Sequence, residues 1–225
     1  MPKKFDIEEE LKRSDFRVAV FGSARIKSKD PIFKDIVNLG KEIGKMGIDI
    51  VTGGGPGLME ATAMGHKEGT KYLKNKRHVS NIGLNIALPM EQKPNTGIDE
   101  VLSHERFSSR LDNFMLLSNV VVVAPGGIGT LLELAYTWQL AQVHHICHIP
   151  IVLIGEEWAS LIEWVKDWPL KHDYMSEEDL QYIITVPDSN EALEIIKRAK
   201  LAFDDAGPEA CMNWHLYGEK RLADK

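Results

Sequence analysis

This sequence predicts an α/β fold, a mostly parallel sheet with helices on both faces, and three observations carry the prediction. Apolar runs of strand length alternate with segments of helical spacing along the whole chain. The strand segments are continuous Val/Ile runs, such as "VVVV" at 120–123, rather than alternating ones. Strands covered on both faces read this way. Finally, two strands run through glycine-rich turns straight into helices, "TGGGPG" at 52–57 and "PGGIGT" at 125–130.

Taken in order, the elements begin with a short amphipathic helix at about 5–13. A buried strand follows, "FRVAVFG" (16–22). The segment 30–46 has helical spacing, with Asp30 as N-cap and Pro31 at the first helical position. "IDIVTGGG" is the second strand with its turn, and 56–69 the second helix. "NIGLNIALP" (81–89) reads as a third strand stopped by Pro89, after which a polar loop leads to a helix at about 106–117. The fourth strand, "NVVVVAPGG", feeds a helix from about 129 to 143. "IPIVLIG" (149–155) and a tryptophan-rich helix at 157–168 come next. "QYIITV" (181–186) and a helix at 188–201 close the series. The expected organisation is one domain over 1–225, with an N-terminal helix within about 1–14 and an irregular tail from about 204.

Bulk properties limit the function classes. The 225 residues are 44% hydrophobic and 27% charged, as in an ordinary globular protein, and the net charge of −6 disfavours a nucleic-acid or membrane-surface role. The basic run "KYLKNKRH" (71–78) reads as a solvated loop. The N-terminal segment is charged and no stretch is long and apolar enough to span a bilayer. Two cysteines, Cys147 and Cys211, are too few for a disulfide scaffold or a four-cysteine zinc site, so a cytoplasmic, reducing setting is expected. In "QVHHICH" (142–148), His144, His145, Cys147 and His148 are crowded but lack metal-ligand spacing. They read as structural, and no metal site is expected. Trp158, Trp164 and Trp168 read as core or dimer packing.

The glycine turns point to an anion. Ligands of parallel sheets bind at the carboxyl ends of strands, and a helix N-terminus offers free N–H groups and partial positive charge. Gly126, Gly127 and Gly129 leave their amides open, with the Thr130 hydroxyl beside them. Gly53, Gly54, Gly55 and Gly57 form a second turn, and Gly22 with Ser23 a smaller third one. Neither long motif matches G-x-G-x-x-G with its acidic partner, and no "GK[ST]" follows. The expected ligand is therefore a phosphorylated compound of mononucleotide size.

"PGGIGTLLE" (125–133) resembles the P-G-G-x-G-T-x-x-E signature of the Lonely Guy (LOG) family, and "GGGPGLMEA" (53–61) its second glycine motif, 73 residues earlier. "FGSAR" and "LPMEQKPN" resemble further pieces, and the likeness covers roughly 16–200. It implies a Rossmann-like three-layer fold, a homodimer with sites near the interface, no cofactor, and hydrolysis of the N-glycosidic bond of nucleoside 5′-monophosphates. The substrates are cytokinin riboside monophosphates or purine and pyrimidine nucleotides. Members have often been labelled lysine decarboxylase, but nothing here suggests a pyridoxal-phosphate lysine. The family's arginine, 23 positions before the signature glutamate Glu133, falls on Arg110. Arg-Lys is usual there, and Leu111 removes one cation. The family's ligand-binding glutamate corresponds to Glu91, with a spacing one residue different.

The resemblance implies Arg110 and Glu133 as the catalytic pair. Glu133 would serve the ribose or water, and Arg110 the phosphate or the leaving base. Gly126, Gly127, Gly129 and Thr130 would hold the 5′-phosphate, with Gly22, Ser23, Gly54 and Gly55 beside it. Met59 would pack on the base, and Glu91 or Asn95 would bind polar edges. Plainer readings stand beside these. Glu133 suits a helix start regardless, Arg110 could pair with Asp112 or Asp99, Met59 could be core, and Glu60 could be a surface helix residue. A non-catalytic carrier of a nucleotide or of the molybdenum cofactor, the latter a phosphorylated pterin held without chemistry, is the alternative function.

Overall fold

The computed structural model describes residues 2–74, 79–87, 94–207 and 210–211. Eight strands form one all-parallel sheet: β1 (Lys3–Lys4), β2 (Arg17–Phe21), β3 (Asp49–Thr52), β4 (Asn81–Ile86), β5 (Glu100–His104), β6 (Val120–Val123), β7 (Ile151–Ile154) and β8 (Ile183–Val186). Their order is β1-β5-β4-β3-β2-β6-β7-β8. The chain thus builds outward from β2 in one direction through β3 and β4. It then returns to place β6 on the other side of β2 and continues through β7 and β8. The topological switch point lies between β2 and β6, where sheets of this kind bind ligands.

Helices cover both faces, as the buried strand runs require. Helices α1 (Ile7–Leu11), α4 (Phe107–Leu117), α5 (Ile128–Gln142) and α6 (Glu157–Val165) pack on one face. There Phe114, Leu134 and Trp158 meet Phe21, Val121 and Leu153. Helices α2 (Pro31–Lys45), α3 (Leu58–Gly69) and α7 (Ser189–Ala206) cover the other. There Ile36, Leu58 and Ile196 meet Val18, Val20 and Val122. Asp30 caps α2 by accepting the Ile32 amide at 3.1 Å, with Pro31 in the first turn.

Four elements differ from the sequence expectation. Strand β5 lies where a polar loop is expected. In "EVLSH" Glu100, Val101 and Leu102 are partly buried, Ser103 is exposed and only His104 is buried, so no apolar run announces it. Strand β1 is a two-residue edge of lysines, and edge strands carry charge commonly. The tryptophan-rich helix ends at Val165 and widens into a π turn over Lys166–Leu170, because Pro169 has no N–H to continue the α ladder. Helix α7 runs on to Ala206, beyond the expected end at 201. Pro89, Glu91 and the tail beyond 211 lie outside the described residues.

At the amino ends of the strands a charged cluster ties α1 to the sheet. Arg17 is 1% exposed, and its Nη2 donates to Glu10 Oε1 at 2.6 Å. Asp49 accepts the Ser80 amide through Oδ1 at 2.8 Å, while its buried Oδ2 has no hydrogen-bond partner. Burial pushes the Asp49 carboxyl up to about 6, against the Ser80 hydrogen bond and the charge of Arg17. At this same edge Cys147 and Cys211 are joined in a disulfide that pins the chain after α7 to the segment before β7. This bond departs from the expectation of a reducing setting, which rests on there being only two cysteines; their separation of 64 positions is closed by the fold. No helix among the described residues is long and apolar enough to cross a membrane.

Candidate active site

A cavity of about 550 Å³ opens at the carboxyl ends of β2, β3, β4 and β6, over the switch point. The loop after β2 contributes Gly22, Ser23, Ala24 and Arg25; the loop after β3 contributes Gly53, Gly55 and Met59. Asn85 and Ile86 end β4 at its wall. Helix α4 gives Phe107 and Arg110, and the start of α5 gives Ile128 to Thr130 and Glu133.

The two long glycine turns do different things. Helix α5 starts at Gly127 with no side-chain cap, and a Cβ built on Gly127 or Gly129 would meet no atom within 4 Å. The first turn of α5 therefore faces the cavity with its amides available to an anion. At Gly126 a Cβ would lie 2.1 Å from Thr130 Oγ1, so the bare glycine lets the hydroxyl fold back over the turn. Helix α3 starts differently. Its Leu58 amide donates to the Ser23 carbonyl at 3.0 Å. Gly57, at φ +72°, allows that contact, since a Cβ there would sit 2.3 Å from Ser23 O. The start of α3 is thus partly occupied by the β2 loop, and α5 presents the more open anion site.

Glu133, one turn into α5, faces Arg110 of α4, with Arg110 Nη2 3.5 Å from Glu133 Oε1 and both side chains 11% exposed. Arg110 is fixed from three sides. Its Nε donates to the Leu84 carbonyl at 2.7 Å, its guanidinium lies 5.2 Å over the Phe114 ring, and Gly53 leaves the room it fills. A Cβ on Gly53 would lie 2.3 Å from Arg110 Nη2. Tyr136 links the two helices by donating to Asp112 Oδ1 at 2.6 Å, so Asp112 is engaged elsewhere and Arg110 pairs with Glu133. Burial pushes the Glu133 carboxyl up to about 7, with Arg110 pulling the other way. Burial also lowers the Arg110 guanidinium, opposed by Glu133. A carboxyl poised near neutrality can hold or release a proton at working pH.

A second layer orients β4 against α4. The His104 ring Nδ1–H donates to the Asn85 carbonyl at 3.0 Å, and Asn113 Nδ2 donates to His104 Nε2 at 2.8 Å. Burial lowers the His104 pKa, in keeping with the neutral ring this chain of bonds needs. The Asn85 side chain lies on the cavity wall, and its buried Oδ1 has no hydrogen-bond partner. Gly54, at φ +71°, makes room for that oxygen: a Cβ there would be 2.3 Å away.

Of the residues expected from the sequence, the cavity brings together Gly22, Ser23, Gly55, Met59, Arg110, Gly127, Gly129, Thr130 and Glu133. Gly54 and Gly126 sit behind it. Asn95 braces the glycine turn, its amide N–H donating to Gly54 O and its Nδ2 to Gly55 O, both at 2.9 Å. Glu91 lies outside the described residues. Arg25, Asn85 and Phe107 join the wall without having been anticipated. Asn85 sits inside an apolar strand, and in "FGSAR" the glycine turn points to Gly22 and Ser23 but assigns no role to Arg25. Leu111, where the LOG family has lysine, is buried in the core face of α4. The ring of His148 stacks on that of His144 and meets Tyr182 edge-on, while Cys147 is bonded to Cys211.

The family described as "Possible lysine decarboxylase" matches residues 54–196. The chain belongs to this family, the LOG family. It is similar to a pyrimidine/purine nucleotide 5′-monophosphate nucleosidase of Escherichia coli K12, 25% identical over 188 residues that cover 79% of the chain and 40% of that protein. The chain therefore spans about two fifths of the length of that relative. It is also similar to the cytokinin riboside 5′-monophosphate phosphoribohydrolase LOG4 of Arabidopsis thaliana, 26% identical over 92% of the chain and 94% of the relative. Among solved structures, the molybdenum cofactor carrier protein of Chlamydomonas reinhardtii superposes with a TM-score of 0.60 at 21% identity. The match covers 83% of this chain and 99% of that one. At that identity the likeness is one of fold.

Proposed function

We propose that this LOG-family chain hydrolyses the N-glycosidic bond of a nucleoside 5′-monophosphate to a free base and ribose 5-phosphate. The observation that carries the reading is the Arg110–Glu133 pair, buried at 3.5 Å in the wall of a cavity that also holds the open start of α5. The 5′-phosphate sits on the amides of Gly127 to Thr130 with the Thr130 hydroxyl, backed by the loop at Gly22 and Ser23. This leaves the ribose over Glu133. Breaking the C1′–N bond builds positive charge on the ribose, which a carboxylate stabilises while it orients the attacking water. The water oxygen bonds to C1′, the bonding pair leaves with the base, and the water's proton neutralises it. With α5 serving the phosphate, the planar guanidinium of Arg110 is left to the departing base. Met59 packs on that base, and Asn85 meets a polar edge.

The same reading includes a cytoplasmic homodimer. Phe107 and Ile128 line the cavity as exposed apolar side chains, Ile128 at 82%, Leu131 and Leu132 are exposed further along α5, and a second copy would cover them. Purified protein incubated with AMP, GMP, IMP, CMP, UMP and isopentenyladenosine monophosphate, with free base followed by chromatography, tests the activity and its base preference together. Release that is absent from Glu133→Gln supports the reading. No release from any, with tight binding of a phosphorylated ligand, overturns it.

A further inference from the structure

The structure assigns a docking surface for a basic, arginine-rich protein segment to the aromatic and acidic face formed by α6 and the turns after it. Trp158 of α6 is buried against the sheet, but Trp164 is 57% exposed, Trp168 54% and Tyr174 72%. The His172 ring lies 4.4 Å from Trp168 and 5.8 Å from Tyr174, centroid to centroid, so these side chains form a short aromatic ladder. Trp164 precedes Trp168 by four positions, the spacing of neighbours on one helix face. Large aromatic surfaces left together in solvent are unusual and mark contact sites.

The charge of the segment that carries the ladder decides what fits it. Residues 156–181 hold eight acidic side chains and two lysines, a net charge of −6. That equals the net charge of the whole chain, so the remaining residues balance to zero. Glu156, Glu157, Glu163, Asp167, Asp173, Glu177 and Glu178 are exposed, and among the described residues none of them has an ion-pair partner. Acid beside exposed indole repels phosphate backbones and suits guanidinium, which stacks on aromatic planes and forks onto carboxylates. A second copy meeting this face through a two-fold axis would set like charges against each other.

The test uses the full chain and a fluorescently labelled peptide of alternating arginine and glycine, read by anisotropy. Controls carry lysine or glutamate in place of arginine. Binding with a Kd on the order of micromolar is expected at about 50 mM salt, falling about tenfold by about 300 mM as screening sets in. The lysine peptide should bind several-fold more weakly and the glutamate peptide not at all. Trp164→Ala with Trp168→Ala, and separately Glu163→Lys with Asp167→Lys, should each weaken binding by about tenfold. All four positions are exposed, so thermal unfolding should stay in place. Three results would overturn the proposal: no binding at low salt, binding indifferent to both variants, or concentration-dependent self-association abolished by the tryptophan changes. The last would make the occupant a second copy.

Discussion

Arg110 and Glu133 stand on different helices, 23 positions apart in sequence, yet their charged ends approach to 3.5 Å inside the cavity. Two opposed effects meet there. Burial raises the Glu133 carboxyl to about 7, and the neighbouring guanidinium holds it from rising further. If the carboxylate acts on the transition state, Glu133→Gln removes that charge while keeping the shape. Base release should fall by about a thousandfold or more, while nucleotide affinity stays within a few-fold. Single-turnover assays beside calorimetric titration separate the two, and retained turnover would take the glutamate out of the mechanism.

The rate should also depend on pH with a definite sign. The carboxylate is the active form in this mechanism, so kcat/KM rises with pH through about 7 as Glu133 ionises. Arg110→Met removes the influence that favours ionisation, so the acid limb should move to higher pH as well as lower in height. A profile flat across neutrality in the parent, or a limb unmoved in Arg110→Met, would contradict the coupling.

Gly53 should be as sensitive as either charged residue. A methyl there would meet Arg110 Nη2 at 2.3 Å and Met59 Sδ at 2.7 Å, and both are ends of flexible chains that can give way. Gly53→Ala is therefore expected to fold with a loss of no more than about 1 kcal/mol, yet to move the guanidinium off its place beside Glu133. Activity should drop by about a hundredfold or more with thermal unfolding little changed. Activity close to the parent's would show that Arg110 tolerates displacement.

Stability has its own pH signature at the far end of the sheet. The folded Asp49 carboxyl titrates at about 6, above its ordinary 3.8. The folded state therefore binds more protons than the unfolded one between these values. Its contribution is fully present below about 4 and lost as pH rises through about 6. Asp49→Asn keeps an acceptor for the Ser80 amide and turns an N–H toward the carboxylates of Glu10 and Asp15, which cluster with it. At pH 8 the variant should be more stable by about 1–2 kcal/mol, with the gain vanishing toward pH 4. Denaturant unfolding at the two pH values measures this, and an equal effect at both would exclude titration as the cause.

What the sequence made legible follows from how each feature is encoded. Runs such as "VVVV" and the Asp30–Pro31 start state their structure locally, and the glycine turns state where strands hand over to helices. Strand β5 does not, because "EVLSH" is half-buried and its pairing with β4 is a tertiary event. The site divides the same way. Thr130 and Glu133 lie inside a local motif, whereas Asn85 becomes a wall residue only because β4 ends beside Gly54 and Arg110. The Cys147–Cys211 bond likewise needs the fold, since it depends on α7 returning the chain to the amino end of β7.

The open start of α5 yields the sharpest test of where the phosphate lies. Thr130 is buried, lines the cavity, and has its hydroxyl folded over Gly126, whose missing side chain leaves it 2.1 Å of room that no Cβ could share. Thr130→Val keeps the volume and removes only the donor. If the 5′-phosphate rests on this turn, kcat/KM for a nucleoside monophosphate should fall by about 1.5–3 kcal/mol, roughly ten- to a hundredfold, the worth of a hydrogen bond to a charged group. The corresponding nucleoside has no group to lose the contact, so its weak turnover should change little. Inorganic phosphate should inhibit the parent in competition with the monophosphate and inhibit Thr130→Val less. Equal losses for nucleotide and nucleoside would move the phosphate off α5, and the partly occupied start of α3 beside Ser23 would then be the place to look.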